Sequence, residues 1–264
     1  MTVELIDVTG GAIEVAVAPG DPALPTLVFL HEGLGTRAQW RDFPQRVAVA
    51  AGGHAIVVYS RHGYGRSAPV PLPRPATYMH HEADVVLPEL VAHLGLVEPI
   101  LVGHSDGASI ALLYAGAGRP VGGLVLLAPH AFVEDVTVAA IRAAGEAFAQ
   151  GDLRARLARY HDDVDVAFRG WNEVWLSDEF RAWNIEDRLA RITAPVLVVQ
   201  GDADPYGSFA QVDAIERGVG GAVDRLELAG AGHSPQRDAV ETTLAAIAAF
   251  LRRVSAAEVS GSGP

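Results

Sequence analysis

The stretch Pro99-Ile100-Leu101-Val102-Gly103-His104-Ser105-Asp106-Gly107-Ala108-Ser109-Ile110-Ala111-Leu112-Leu113 decides how the rest of the chain reads. Its apolar opening reads as a buried strand that runs into Gly-x-Ser-x-Gly, and an Ala/Leu-rich helical segment begins at once. Glycines on both sides of Ser105 permit a sharp strand-to-helix turn that pushes its hydroxyl out of a sheet. The helix N-terminus behind it supplies backbone N–H donors. Outside that setting the same residues describe a serine capping a helix.

Outward from this turn the chain alternates. Residues 3–8 and 12–18 are short β-branched segments around Thr9-Gly10-Gly11 and predict an opening antiparallel hairpin. Apolar strands are expected at 26–30, 55–59, 122–127 and 195–200, with a further strand at 223–228. Helices are expected at 37–51, 82–94, 209–217 and 239–254. Strands that are apolar throughout and alternate with helices predict an α/β fold, a mostly parallel sheet covered on both faces. Between 130 and 190 the alternation stops, and the segment is helical in pattern and rich in aromatics such as Phe148, Phe168, Trp171, Trp175 and Trp183. It is expected to lie as a helical cap over the carboxyl end of the sheet, inserted into one core domain formed by 1–129 and 191–254. The small, polar stretch 255–264 is expected to be a disordered tail.

Half of the 264 residues are apolar, enough to bury one sizeable core. Thirty-two acidic residues against twenty basic ones give a net charge of −12, which disfavours a nucleic-acid partner by repulsion. There is no cysteine, so disulfides and thiolate metal sites are excluded. The first residues carry acids where a signal peptide needs positive charge, and no apolar run approaches the length of a membrane span. A soluble cytoplasmic protein is expected. Its partners are a small-molecule substrate and, at most, a second copy of the chain, with no nucleic acid and no membrane.

A serine hydroxyl is a poor nucleophile at neutral pH, so Ser105 needs a base within hydrogen-bond reach and that base needs an orienting acid. Of the ten histidines, His233 lies in a Gly-rich loop after a late strand, where its side chain reaches the carboxyl edge of the sheet. The acid lies in Gly201-Asp202-Ala203-Asp204. Spacing leaves both aspartates open; Asp204 is favoured because Pro205 keeps the loop extended behind it, and Asp202 would then brace the turn. The oxyanion of a tetrahedral intermediate needs preset N–H donors. The amide of Asp106 is one candidate, and that of Gly33 or Leu34, in a turn after an early strand, is the other.

These motifs together resemble the α/β-hydrolase family over nearly the whole chain. His31 with residues 33–36 looks like the family's oxyanion loop, Gly63-Tyr64-Gly65-Arg66-Ser67 like its Gly-x-Gly-x-Ser turn, and residues 103–107 like its nucleophile elbow. Gly201-x-x-Asp204 and Gly232-His233 look like its acid and base loops. The resemblance implies an α/β-hydrolase fold and a serine hydrolase without metal or cofactor; the acidic composition and the aromatic-rich inserted segment point to a small, neutral or apolar carboxylic ester or thioester, rather than a polyanion, as its substrate. A carbon–carbon bond hydrolase of the meta-cleavage type and a non-hydrolytic receptor on the same fold stay open beside it. Glu32 stands where the family has glycine, and is expected to point away from the oxyanion site or to pair with an arginine such as Arg61. His130, Trp171, Trp175 and Tyr206 are candidate substrate contacts. His161 reads as a solvated helix end, and His80-His81-Glu82 as a surface turn before a helix.

Overall fold

In the computed structural model, which describes residues 1–261, the extended segments are β1 (Thr2–Val8), β2 (Gly11–Ala18), β3 (Leu27–Leu30), β4 (Ile56–Ser60), β5 (Ile100–His104), β6 (Gly123–Leu127), β7 (Val196–Gly201) and β8 (Val223–Leu228). Among the described residues they form one sheet in the order β1-β2-β4-β3-β5-β6-β7-β8. β1 and β2 are the expected hairpin, closing at Val8 opposite Gly11, and β2 runs antiparallel to β4. From β4 to β8 every pairing is parallel. The carboxyl ends of β3, β5, β6, β7 and β8 therefore open onto one edge, the place where ligands bind in open α/β sheets.

The helices are α1 (Phe43–Ala51), α2 (Tyr78–His81), α3 (Leu87–His93), α4 (Asp106–Gly116), α5 (Asp135–Gln150), α6 (Leu153–Leu157), α7 (Val164–Trp175), α8 (Glu186–Leu189), α9 (Phe209–Gly218), α10 (Pro235–Asp238) and α11 (Val240–Gly261). Successive strand side chains point to opposite faces, and this divides the core in two. Val28, Leu30, Leu101 and Leu126 pack with α2, α3, α4 and α7 on one face. Leu27, Phe29, Val102 and Leu127 pack with α1 and α11 on the other. Helices α5 to α8 all fall between β6 and β7, in the aromatic-rich segment.

Three boundaries differ from the sequence expectation, each for a local reason. The helix expected over 37–51 is broken: a 3₁₀ turn at Arg37–Trp40 ends in Arg41 at φ 56°, and α1 starts afresh at Phe43. Pro44 causes this, because in a helix interior it would lack an N–H and clash with the preceding turn, whereas at the start of α1 it costs nothing. The helix expected from 82 begins at Tyr78 and passes through a π-helical turn (Glu82–Val86) before α3. Tyr78 and Met79 are buried and anchor that earlier start. The closing helix runs on to Gly261, through 255–261 of the tail expected to be disordered; no Gly or Pro interrupts it before Gly261, and Ser255 is buried. Residues 262–264 of that tail lie outside the described residues.

The junction of β5 and α4 is packed backbone against backbone. A Cβ on Gly107 would sit 2.1 Å from the carbonyl oxygen of Leu30, and one on Gly103 would sit 2.4 Å from that of Gly107. Backbone, not flexible side chain, fills both spaces, so nothing can yield cheaply. Gly107→Ala should lower the unfolding free energy by about 3 kcal/mol or more, the upper range for overpacking a rigid interior. Denaturant titration of the variant measures it; a loss under about 1 kcal/mol would mean that β3 and α4 are free to separate.

Candidate active site

Ser105 follows the last residue of β5 and adopts φ 53° and ψ −118°, a conformation that costs a residue with a side chain about 1–3 kcal/mol. It is held on both sides. Its N–H donates to Leu127 of β6 at 2.9 Å, and its carbonyl accepts from Ala108 and Ser109 in the first turn of α4 at 2.9 and 3.1 Å. The Ser105 hydroxyl meets His233, from the loop after β8: Oγ and Nε2 are 2.9 Å apart. On the far side of the ring, Nδ1 lies 2.9 and 2.8 Å from the two carboxylate oxygens of Asp204, from the loop after β7. An ionised carboxylate only accepts, so Nδ1 carries the ring proton and Nε2 is left bare to accept from the serine hydroxyl.

Asp204 is itself oriented. Oδ1 accepts from the Tyr206 amide and Oδ2 from the Gln200 side chain, each at 2.8 Å. Burial works against its charge, but the hydrogen bonds from His233 and the Tyr206 N–H outweigh it and hold the carboxyl below the ordinary value. Asp202 lies apart from this contact: its Oδ1 accepts from the amide of Gly230 at 2.6 Å and ties the Asp204 loop to the His233 loop. His104, inside the Gly-x-Ser-x-Gly turn, donates from Nε2 to the His233 carbonyl at 2.6 Å and steadies the imidazole from below.

The loop after β3 is pinned at one peptide. The Glu32 carbonyl accepts from His31 Nδ1 at 2.7 Å, from the buried Arg61 guanidinium at 2.9 Å and from the Gly35 amide at 3.0 Å. A trans peptide turns its N–H away from its carbonyl, so the Gly33 amide faces the opposite way, and Gly33 and Leu34 line the cavity at Ser105. Among the described residues neither amide donates to a backbone carbonyl. The Glu32 side chain does not pair with Arg61: its carboxylate lies 3.5 Å from His104 Nδ1 and 3.9 Å from Arg237. Arg61 is taken up by the carbonyl and by the Asp106 carboxylate 3.5 Å away. Burial would raise the Glu32 carboxyl, yet His104 and Arg237 hold it well below the carboxylate range.

His161 is the histidine the sequence placed wrongly. It is buried, accepts from the Gly65 amide at Nδ1 (3.2 Å), and donates from Nε2 to the Leu34 carbonyl (3.1 Å). It thus fastens the inserted helical segment to the loop that carries Leu34, a role that no local pattern in the chain signals. His80 and His81 end α2, and Glu82 turns inward to accept from the Tyr59 hydroxyl at 2.8 Å.

A cavity of about 100 Å³ opens above Ser105 and His233. The candidates His130, Trp171, Trp175 and Tyr206 all line it, and so do Thr137 and Ile141 of α5, which the sequence did not single out. The Trp171 indole lies over Gly33 so closely that a Cβ there would come within 2.1 Å of its Nε1. Phe180 and Trp183 stack on each other beside Trp175 and belong to the core of the inserted segment. Under the cavity runs a chain of buried polar groups: the Trp175 indole donates to the Tyr78 hydroxyl at 3.0 Å, which donates to Asp106 at 2.6 Å. His130 donates from Nε2 to the Tyr206 carbonyl at 3.0 Å, which leaves Nδ1 without its proton.

Comparison with known proteins bears on this arrangement. The model of the alpha/beta hydrolase family matches residues 27–246. An sn-1-specific diacylglycerol lipase of Mus musculus is 34% identical over 97 residues, 36% of this chain and 29% of that protein, so the match spans under a third of the relative's length. A thermophilic esterase from Thermogutta terrifontis superposes with a TM-score of 0.73 at 21% identity, covering 97% of this chain and 100% of that one. A haloalkane dehalogenase from Bradyrhizobium elkani superposes at 0.75 and 19% identity, covering 97% and 99%. At such identities the likeness concerns the fold.

His31, His130 and His161 all sit below the ordinary imidazole value of 6.5, in each case chiefly because burial penalises the charged ring. Just below pH 6.5 the unfolded chain binds protons at these rings and the folded chain does not. Stability is therefore full above that pH and falls as the pH drops toward the lowered values, while the Asp204 contribution persists to lower pH still. The unfolding free energy should decrease by more than about 1 kcal/mol between about pH 7.5 and about pH 5.5. Urea midpoints at the two pH values provide the check; equal midpoints would show that the rings titrate alike in both states.

Proposed function

The chain belongs to the alpha/beta hydrolase family, and from that premise we propose that it is a serine hydrolase which cleaves a carboxylic ester or thioester of a small molecule through an acyl-enzyme. The observation that carries the reading is the pair of contacts at His233: 2.9 Å from Nε2 to the Ser105 hydroxyl, and 2.8 Å from Nδ1 to Asp204. Such an arrangement is what activates an alcohol as a nucleophile.

In this reading Ser105 Oγ attacks the carbonyl carbon while His233 Nε2 takes its proton. Asp204 keeps the imidazole in the required tautomer and stabilises the imidazolium that forms. The negative charge on the carbonyl oxygen meets the Asp106 amide, at the N-terminus of α4, and the amide of Gly33 or Leu34. Each such donor is worth about 3–4 kcal/mol in the transition state. The C–O or C–S bond breaks, the leaving group departs with the proton from His233, and a water activated by the same imidazole hydrolyses the acyl-serine to acid and free enzyme. Trp171, Trp175, Ile141 and Leu34 make the wall apolar, and about 100 Å³ favours a short acyl or aryl group next to the reacting carbonyl.

A fluorophosphonate probe should label the wild type at Ser105 and fail to label Ser105→Ala, and that substitution should remove turnover of para-nitrophenyl acetate. Retention of more than about a tenth of the rate refutes the nucleophile. Asp204→Asn should reduce kcat by about 10⁴-fold through the wrong imidazole tautomer, and Asp202→Asn by far less; the reverse order would reassign the acid.

A further inference from the structure

A second, larger cavity of about 480 Å³ adjoins the cavity at Ser105 and shares Glu32 and Leu34 with it. We propose that this groove binds an anionic group, a carboxylate or a phosphate, carried by the substrate at the end remote from its ester. For events at Ser105 the proposal rests on the serine-hydrolase reading; for the groove itself it rests on what lines it.

Arg41, Arg156, Arg159 and Arg237 all face the groove, and Glu32 is the sole carboxylate lining it. The chain's twenty basic residues are all arginines, set against thirty-two acids, so four in one cavity reverse locally a charge of −12 overall. Other cavities show no such excess: the one lined by Arg181 and Arg217 also contains Glu186 and Asp213. Two of the four are without a carboxylate partner, and the Arg237 guanidinium donates to the Gln39 carbonyl at 3.3 Å. Among the described residues Arg41 and Arg159 have no carboxylate within 4.0 Å. Arg156 reaches Asp152 at 3.4 Å, but both side chains are more than half exposed, and such a pair contributes little. Arg237 stands 3.9 Å from Glu32, at the boundary of the two cavities.

Guanidinium groups brought together repel one another, and an anion among them relieves that repulsion. Their planar fork matches the paired oxygens of a carboxylate or phosphate. Leu34 belongs to both cavities, so a substrate with its carbonyl at Ser105 passes Leu34 to lay its far end among the arginines. The groove also offsets the long-range repulsion that an acidic protein exerts on an anionic substrate.

Two matched ester pairs test this: para-acetoxybenzoate against its methyl ester, and mono-para-nitrophenyl glutarate against para-nitrophenyl pentanoate. A third ester, para-acetoxyphenyl phosphate, ranks phosphate against carboxylate. At low salt the anionic member of at least one pair should have a kcat/KM about tenfold above its neutral partner, a preference that falls to about unity in Arg41→Gln/Arg159→Gln. Independently of turnover, calorimetric titration with glutarate and with inorganic phosphate should detect binding that the double variant weakens by about tenfold. The proposal stands if either readout depends on the two arginines and is overturned if neither does. Loss of neutral-ester turnover in Ser105→Ala reports on the serine-hydrolase reading alone, so the two fail separately.

Discussion

The contact on which the site depends is one of backbone against backbone, where α4 leaves β5. Gly103 and Gly107 let the helix approach so closely that carbonyl groups of β3 and α4 occupy the places their side chains would take. This closeness forces the chain through a turn too sharp for relaxed geometry, and Ser105 sits in it at φ 53°. Three backbone hydrogen bonds to β6 and α4 hold the residue there. The hydroxyl is therefore presented by the core of the protein rather than by a mobile loop, and its position is as rigid as the sheet.

Around that fixed point the remaining groups arrive on loops, each immobilised by buried polar contacts. Asp202 ties the acid loop to the histidine loop, His104 supports His233 from the carbonyl side, and His31 with Arg61 locks the Glu32 carbonyl. Most of these partners are imidazoles or backbone groups, and the His31 ring, which burial keeps neutral, satisfies its hydrogen bonds without the cost of burying a net charge. Where charge is buried it is matched: Arg61 lies between Asp106 and the Glu32 carbonyl. His161 and Trp171 then join the inserted helices to the same loop, so the cavity wall is packed directly on the turn that carries Gly33 and Leu34.

Net charge proved a poor guide to local chemistry. A chain with twelve excess negative charges presents an arginine-lined groove beside the cavity at Ser105, because folding sorts side chains by position and not by sum. Arg41, Arg156 and Arg237 come from a turn before α1, from α6 and from α10, stretches far apart in the chain that the topology brings to one rim.

The alternation of apolar strands with helices determined the parallel sheet, and Gly-x-Ser-x-Gly after β5 determined the sharp turn at Ser105, since both depend on neighbours in the chain. Pro44 and the unbroken run beyond Val254 show where such local reading slipped, at helix boundaries set by one proline or by burial. Asp204 could be preferred to Asp202 but not separated from it by spacing, because both lie just past one strand and only the approach of the β8 loop decides which carboxylate faces His233. His161 was invisible for the same reason: its partners Gly65 and Leu34 lie 96 and 127 residues away. Sequence patterning determines which face each element buries. Which polar groups meet across loops is a matter of tertiary packing, since those pairings are made over long separations and leave no periodic trace in the chain.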